Sequence, residues 1–263
     1  MVVGRTVLRD LRDDLGARVP LPSRVRRVVS LVPSLTEALA STDRRLLVGA
    51  TDWCTHPADL DVIRVRGTKN PDVDRVLALA PDLVVANEEE NRAADLDALR
   101  AAGTPVWVTA PRTVTDGCRS LDRMLRACGV RKPAWLSAAE EVWDVPVPPP
   151  QSMALVPIWR RPWMALGRDT FAGDMLRRLG VGNVLADAAD RYPKVELDNL
   201  PAYDLVVLPD EPYVFAADDG PEAFPGVPCA LASGRHLTWY GPSLVDARRV
   251  LSAQIAAARP SQR

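Results

Sequence analysis

Residues 51–57, Thr-Asp-Trp-Cys-Thr-His-Pro, gather Trp53, Cys54 and His56 around one of only two histidines in the chain. Three kinds of chemistry use such a set: metal ligation by thiolate and imidazole, attack by a thiolate beside its base, and an aromatic wall for a flat ligand. Nucleophilic catalysis needs a third group to orient the imidazole, and none lies nearby in sequence. A G-x-S-x-G elbow, an H-E-x-x-H pair, a Walker A loop and a G-x-G-x-x-G turn are all absent. Hydrolytic and nucleotide chemistry therefore have no motif behind them, and the chain is expected to bind rather than to catalyse. Bare zinc wants at least three protein ligands. Cys54 and His56 alone fall short, and the other cysteines (118, 128, 229) form no C-x-x-C pair.

His236 stands three residues before Trp239, much as His56 stands three after Trp53. As a pair facing one ligand, His56 and His236 would suit the axial positions of a metal already held in a macrocycle; a satisfied structural histidine is the plainer role for each. Of seven tryptophans, Trp107, Trp135 and Trp143 sit on apolar stripes and are expected in packing. Trp53, Trp163 and Trp239 stand among Pro, Gly and polar residues, where a large ring is more useful as a wall for an apolar ligand face. The acidic run Glu88-Glu89-Glu90-Asn91 follows a strand, at the edge where α/β sheets bind ligands. Glu88 or Asn91 would accept or donate hydrogen bonds there, unless the run is only a solvated face.

The elements that must position these residues alternate. Strands are expected at 26–32, 46–50, 81–86 and 106–109, with helices at 35–42, 72–80 and 92–102, the pattern of an α/β fold with a mostly parallel sheet. Ser34 and Glu37 have capping-box spacing for the first helix. Helices at 115–128 and 133–143 follow, and Cys118, Leu121, Leu125 and Cys128 form one apolar stripe. The run VPVPPPQ (145–151) cannot be helical. Strands then resume at 153–158, 163–166, 204–208 and 227–231, with helices at 170–179 and 243–258. "VDRVLALAPDLVV" and "VELDNLPAYDLVV" echo each other across the two halves. The expected organisation is an extension over 1–23, an α/β lobe over 24–130, a helical and proline-rich connection over 131–151 and a second α/β lobe over 152–263, with a cleft between the lobes.

With 33 basic against 34 acidic residues the net charge is −1, so no global field favours nucleic acid or an anionic membrane. No apolar run reaches the ~20 residues needed to span a bilayer, and the first residues hold no signal-peptide core of roughly 7–15 apolar residues. As the chain stands, a cytoplasmic monomer is expected.

The stretches "RRVVSLVPSLTEALA", "VGATDWCTHP", "GTKNPDVDRVLALAPDLVVANEEEN" and "GTPVWVTAPRTV" resemble the helical-backbone class of ABC-type substrate-binding proteins, which includes periplasmic cobalamin, haem and ferric-siderophore receptors. The resemblance runs from about residue 24 to 258. It implies two Rossmann-like lobes joined by a helical backbone and a large chelated metal as ligand, most of all cobalamin or another corrinoid, with haem or a ferric siderophore as alternatives. It also implies roles for single residues. Trp53 matches a first-lobe cleft aromatic, Trp163 a second-lobe aromatic, and Trp239 and Tyr240 the last aromatic-rich loop. Ser30, Pro33 and Ser34 match a strand-to-helix loop that meets a polar ligand group. Asp74 and Asp198 fall where the family carries one carboxylate per lobe to dock onto permease arginines. A cytoplasmic enzyme or chaperone that reuses the receptor fold is the reading from another class.

Overall fold

The computed structural model describes residues 9–258, so the first eight residues of the expected 1–23 extension lie outside the described part. The chain divides into two units. One takes residues up to 111 with 117–137 and 240–242; the other takes 112–116, 138–239 and the chain from 243. Each is an α/β unit on a parallel sheet.

The first unit opens with an antiparallel hairpin, β1 (Arg9–Arg12) and β2 (Arg18–Leu21). There follow β3 (Val28–Ser30), α1 (Pro33–Asp43), β4 (Leu47–Ala50), three two-residue strands β5 (Ile63–Arg64), β6 (Arg66–Gly67) and β7 (Asn70–Pro71), then α2 (Val73–Ala78), β8 (Leu83–Asn87), α3 (Ala93–Ala101) and β9 (Val106–Thr109). The sheet runs β5-β4-β3-β8-β9, all parallel. Every residue of β8 and β9 is buried, as expected for parallel strands covered on both faces. Val29, Leu31, Val84, Ala86, Leu99 and Val108 form the centre of one core. On α4 (Val114–Ala127) the stripe Cys118, Leu121, Leu125 is buried, and Cys128 continues it just past the helix end. α4 and α5 (Ala134–Trp143) each carry residues of both units.

The second unit has β10 (Ser152–Leu155), a small hairpin of β11 (Pro157–Trp159) and β12 (Met164–Ala165), α6 (Phe171–Arg178), β13 (Val181–Asn183), β14 (Leu205–Pro209), β15 (Cys229–Ala232), α7 (Gly234–Thr238) and α8 (Leu244–Ala258). Its parallel sheet has the order β13-β10-β14-β15. Leu155, Val206, Leu208, Phe215 and Phe224 make its core.

The capping box expected at Ser34 and Glu37 does not form. Val32 is the N-cap, without a side-chain bond, and Pro33 occupies the first helical turn, where its fixed φ starts the helix two residues early. Ser34 is thereby drawn into the helix and buried, its hydroxyl without a hydrogen-bond partner among the described residues. The strand expected over 153–158 is interrupted after Leu155.

The hairpin was not expected from sequence, and it closes the free edge of β9. Asp13 is buried; one carboxylate oxygen accepts from the Leu15 and Ala17 amides, and the other from the Val108 amide at 3.3 Å. The Asp14 amide donates to the Val108 carbonyl at 3.1 Å, and the Asp14 carboxylate takes the Ala110 amide and the Ser120 hydroxyl. An edge strand is in this way kept from pairing with another chain. Asp13→Ala would strand three amides at once and should cost about 2–3 kcal/mol, read as a lower urea midpoint. A shift too small to resolve would show that the hairpin is not anchored through this side chain.

Candidate ligand-binding site

In an open parallel sheet, ligands meet the carboxyl ends of the strands where the strand order reverses. In the first unit that point lies between β3 and β8, since the chain runs outward to β4 and β5 on one side and to β9 on the other. The segments leaving these strands are 31–34 and 88–91. Asn91 ties them together: its amide donates to the Leu31 carbonyl at 3.3 Å and the Thr68 carbonyl at 2.9 Å, while its oxygen accepts from the Asn87 amide. Asn91 and Ser30 are both buried, and the Ser30 hydroxyl donates to the Val32 carbonyl. Both residues shape the edge rather than face outward from it. Glu88 is exposed beside them.

Tyr240 is also buried here. The Asn87 side-chain amide donates to its hydroxyl at 2.8 Å, and the Thr109 hydroxyl lies 2.7 Å away. Thr109 has one hydroxyl hydrogen, directed to the Ala86 carbonyl, so Tyr240 donates to Thr109. Burial, helped by the charge of Glu90, raises the phenol's pKa and keeps it neutral. Tyr240 thus fastens its segment to the ends of β8 and β9.

The Trp53–His56 loop leaves β4 at the same edge, and its side chains part ways. Trp53 is 67% exposed, whereas Cys54 is fully buried within reach of the Thr36 and Thr51 hydroxyls. Burial pushes the Cys54 thiol up, and the two hydroxyls only partly oppose this. A buried, neutral thiol is neither a nucleophile nor a ready ligand. His56 is half-buried, its Nδ1 3.3 Å from the Thr55 hydroxyl. Of Trp53, Cys54 and His56, the indole is the exposed one. Its Nε1 lies against Gly67, where a Cβ would come within 3.3 Å.

In the second unit the equivalent point lies between β10 and β14. Trp159 follows β10 and Tyr213 follows β14, and their rings meet edge to face at 5.7 Å. Trp159 is 43% exposed. Trp163, the aromatic singled out by resemblance, instead stacks on Phe215 at 6.1 Å, meets Phe224 at 5.6 Å and is covered by the Arg160 guanidinium. It belongs to the margin of the core, because β12 turns it inward. Trp239 is buried too, its Nε1 donating to Glu211 at 2.8 Å, with Arg235 over its ring. His236 sits on α7, its Nδ1 2.8 Å from the Ser233 hydroxyl. Of the tryptophans expected in packing, Trp107 and Trp143 are buried and Trp135 is half-buried, donating to Thr42.

Asp74 lies exposed in the first turn of α2, and Asp198 exposed in a 3-10 turn, Leu197–Asn199. The start of α2 is joined to the Trp53 loop through Arg66, which pairs with Asp72 at 3.6 Å while its carbonyl accepts from the Asp52 amide. Asp74 therefore shares the ligand edge of its unit.

Sequence reading passed over Asn87, Trp159, Tyr213 and Glu211. Asn87 had a signal, a lone amide ending the apolar run "PDLVVAN"; Trp159 was hidden by its partner in "WRRPW". Burial raises the Glu211 carboxyl above the ordinary value of 4.5, opposed by the Trp239 hydrogen bond. A carboxyl whose pKa is higher folded than unfolded binds its proton better in the folded state, so stability falls as pH rises from about the ordinary value through the raised one. Glu211→Gln keeps an acceptor for Trp239 and removes the titration. Its stability should lose less than the wild type's between pH 4.5 and neutrality, compared by urea unfolding at several pH values; parallel profiles would refute this.

Residues 28–131 match the model of the periplasmic binding protein family. An ABC transporter substrate-binding lipoprotein of Bacillus subtilis is 31% identical over 123 residues, 44% of this chain and 38% of the relative. A vitamin B12-binding protein of Yersinia pestis is 33% identical over 107 residues, 40% of this chain and 38% of the relative. The matched part thus spans under two fifths of either relative. Among solved structures, the periplasmic vitamin B12-binding protein of Vibrio cholerae superposes with a TM-score of 0.72 at 17% identity, covering 89% of this chain and 98% of that one. A periplasmic haem-binding protein in complex with two haems gives 0.73 at 24%, covering 88% and 98%. These relatives are named as binding proteins, in line with the absence of any catalytic motif. The chain has the two-lobe α/β fold of the periplasmic vitamin B12- and haem-binding proteins and, over residues 28–131, the sequence pattern of the periplasmic binding protein family.

Proposed function

We propose that the chain captures a metal that arrives already chelated in a macrocycle, a corrinoid such as cobalamin in the first place. The observation that carries this reading is Trp53: a large indole held 67% exposed at the ligand edge while its neighbour Cys54 is fully buried. Leaving such a ring in water forgoes a favourable burial, which a flat apolar ligand face would restore. Trp159 and Tyr213 offer the second unit a comparable surface. Among the described residues no group of three or more His, Cys, Asp or Glu side chains is placed to hold a bare metal ion, which favours a ligand bringing its own donors. His56 and His236 remain candidates for axial contact.

Haem is the second reading, supported by the equal likeness to haem-binding structures. The acidic run Glu88–Glu90 weighs against it, because haem carries anionic propionates whereas the amides rimming a corrin donate hydrogen bonds to carboxylates. Titration with hydroxocobalamin and with haemin, followed by visible absorbance and tryptophan fluorescence, separates the two. Trp53→Ala should weaken binding of whichever binds by about 1–3 kcal/mol. Unchanged affinity would remove Trp53 from the site.

We further propose that Asp74 and Asp198 dock onto basic residues of an ABC permease, as the resemblance implies. No described helix is long and apolar enough to cross a membrane, so a separate membrane partner would complete transport. Such rim charges set association rate and register more than affinity for the small ligand. Reversing both to Lys should abolish co-purification with a permease encoded beside this chain and leave ligand affinity intact; retained co-purification would defeat the docking role. The cellular side follows from the partner. Fractionation of the native protein decides between the cytoplasmic location expected from sequence and an extracytoplasmic receptor.

A further inference from the structure

The opposite edge of the first unit's sheet, at the amino ends of the strands, has a different chemistry. Residues 22–27, which lead into β3, and residues 124–132, which end α4 and lead towards α5, hold six cations and no carboxylate. In a chain of net charge −1 this is a local concentration, not a background. The two segments meet. A hollow of about 390 Å³ is lined by Arg126, Gly129, Val130, Arg131 and Lys132, and a second of about 180 Å³ shares Gly129 and Val130 and adds Arg24. All four cationic side chains are exposed.

The segment that carries them is fixed rather than loose. The Gly129 amide donates to the Arg126 carbonyl and the Val130 amide to the Leu125 carbonyl, with Gly129 at φ +81°, a left-handed turn that ends α4. Pro133 then opens the next helix, its carbonyl accepting from the Leu136 amide. Arg131 and Lys132 are held between two helix ends, so little backbone freedom is lost when they engage a ligand. Three acidic neighbours at this edge have partners, Asp82 accepting from the Arg26 and Arg27 amides. Asp122 pairs with Arg126 at 2.9 Å, and Asp43, which lines the smaller hollow, pairs with Arg45 at 2.8 Å. Among the described residues neither Arg24 nor Arg131 has a carboxylate partner.

We propose that this paired hollow binds a phosphate-bearing anion, with Arg24, Arg126, Arg131 and Lys132 as its contacts. Guanidinium groups suit phosphate because their planar forks match two of its oxygens. The site lies at the sheet edge opposite Trp53, so a bound anion leaves the ligand edge of the unit open.

The test uses the full chain with two probes: tripolyphosphate by calorimetry, and sedimentation with phosphatidylglycerol vesicles against phosphatidylcholine vesicles. Binding of either anionic probe is expected at low ionic strength and should weaken steeply with salt. The double variant R24E/R131E, both positions exposed, should lose it by about tenfold or more, with unchanged unfolding and unchanged affinity for haemin or hydroxocobalamin. Response to tripolyphosphate alone identifies a soluble phosphorylated ligand, and response to the anionic vesicles identifies a lipid headgroup; each supports the site. Failure of both probes to bind, or binding that survives the double variant, overturns it.

Discussion

The side-chain amide of Asn87 is the constraint on which the ligand edge of the first unit depends. It stands at the carboxyl end of a strand buried along its whole length, where an unpaired amide would be costly. Every part of it is used. Its oxygen accepts from the Glu89 and Glu90 amides, its nitrogen donates to the Thr109 carbonyl and the Tyr240 hydroxyl, and its backbone amide donates to Asn91. One residue thus sets the course of the acidic loop, fixes the end of β9 and holds the segment 240–242. Gly241 lets that segment come close, since a Cβ there would lie 3.2 Å from the Ser34 carbonyl. A network so fully satisfied is rigid.

The two units answer the same topological problem with different residues. A reversal of strand order leaves a crevice at the carboxyl edge of each sheet. The first unit bridges it with polar groups, Asn91 to Leu31, and sets its aromatic ring to one side on the loop after β4. The second bridges it with aromatic groups, Trp159 to Tyr213, and backs them with Arg160, which pairs with Asp219 and Glu222 while Tyr213 donates to Asp219. Each unit thus closes its crevice in its own way, the first with polar groups and the second with aromatic ones.

Much of the fold was legible because its causes are local. The buried strands Leu83–Asn87 and Leu205–Pro209 announce themselves as apolar runs, and Asp72 and Thr170 cap α2 and α6 through their own side chains. The two-residue strands β5 to β7 and the β1–β2 hairpin were not legible, since they exist only through pairing and through the docking of Asp13 and Asp14 on β9. The site was legible by residue type and less so by orientation. Trp53, Trp163 and Trp239 share a loop-like sequence context, yet only the first faces solvent. Whether an indole points in or out depends on partners distant in sequence, Phe215 and Phe224 for Trp163 and Glu211 for Trp239, which no local spacing reveals. The Ser34–Glu37 spacing misled because Pro33 began the helix first.

Charge is distributed along the first unit in a way that parallel architecture encourages. Helices that connect parallel strands run back against them, so their amino ends lie at the carboxyl edge of the sheet and their carboxyl ends at the other. The helix dipole then favours acids at the first edge and bases at the second. Asp74 and Asp95 lie in first turns, and Arg75, Arg100 and Arg126 in last turns. This accounts for part of the basic edge, but only for residues within a helical turn. Arg24 lies on the link between β2 and β3, and Arg131 on the link between α4 and α5; neither belongs to a helix, and neither is needed to offset a dipole that Arg126 already meets. The excess of cations over what the helices call for is the physical reason to look for an anion at that edge.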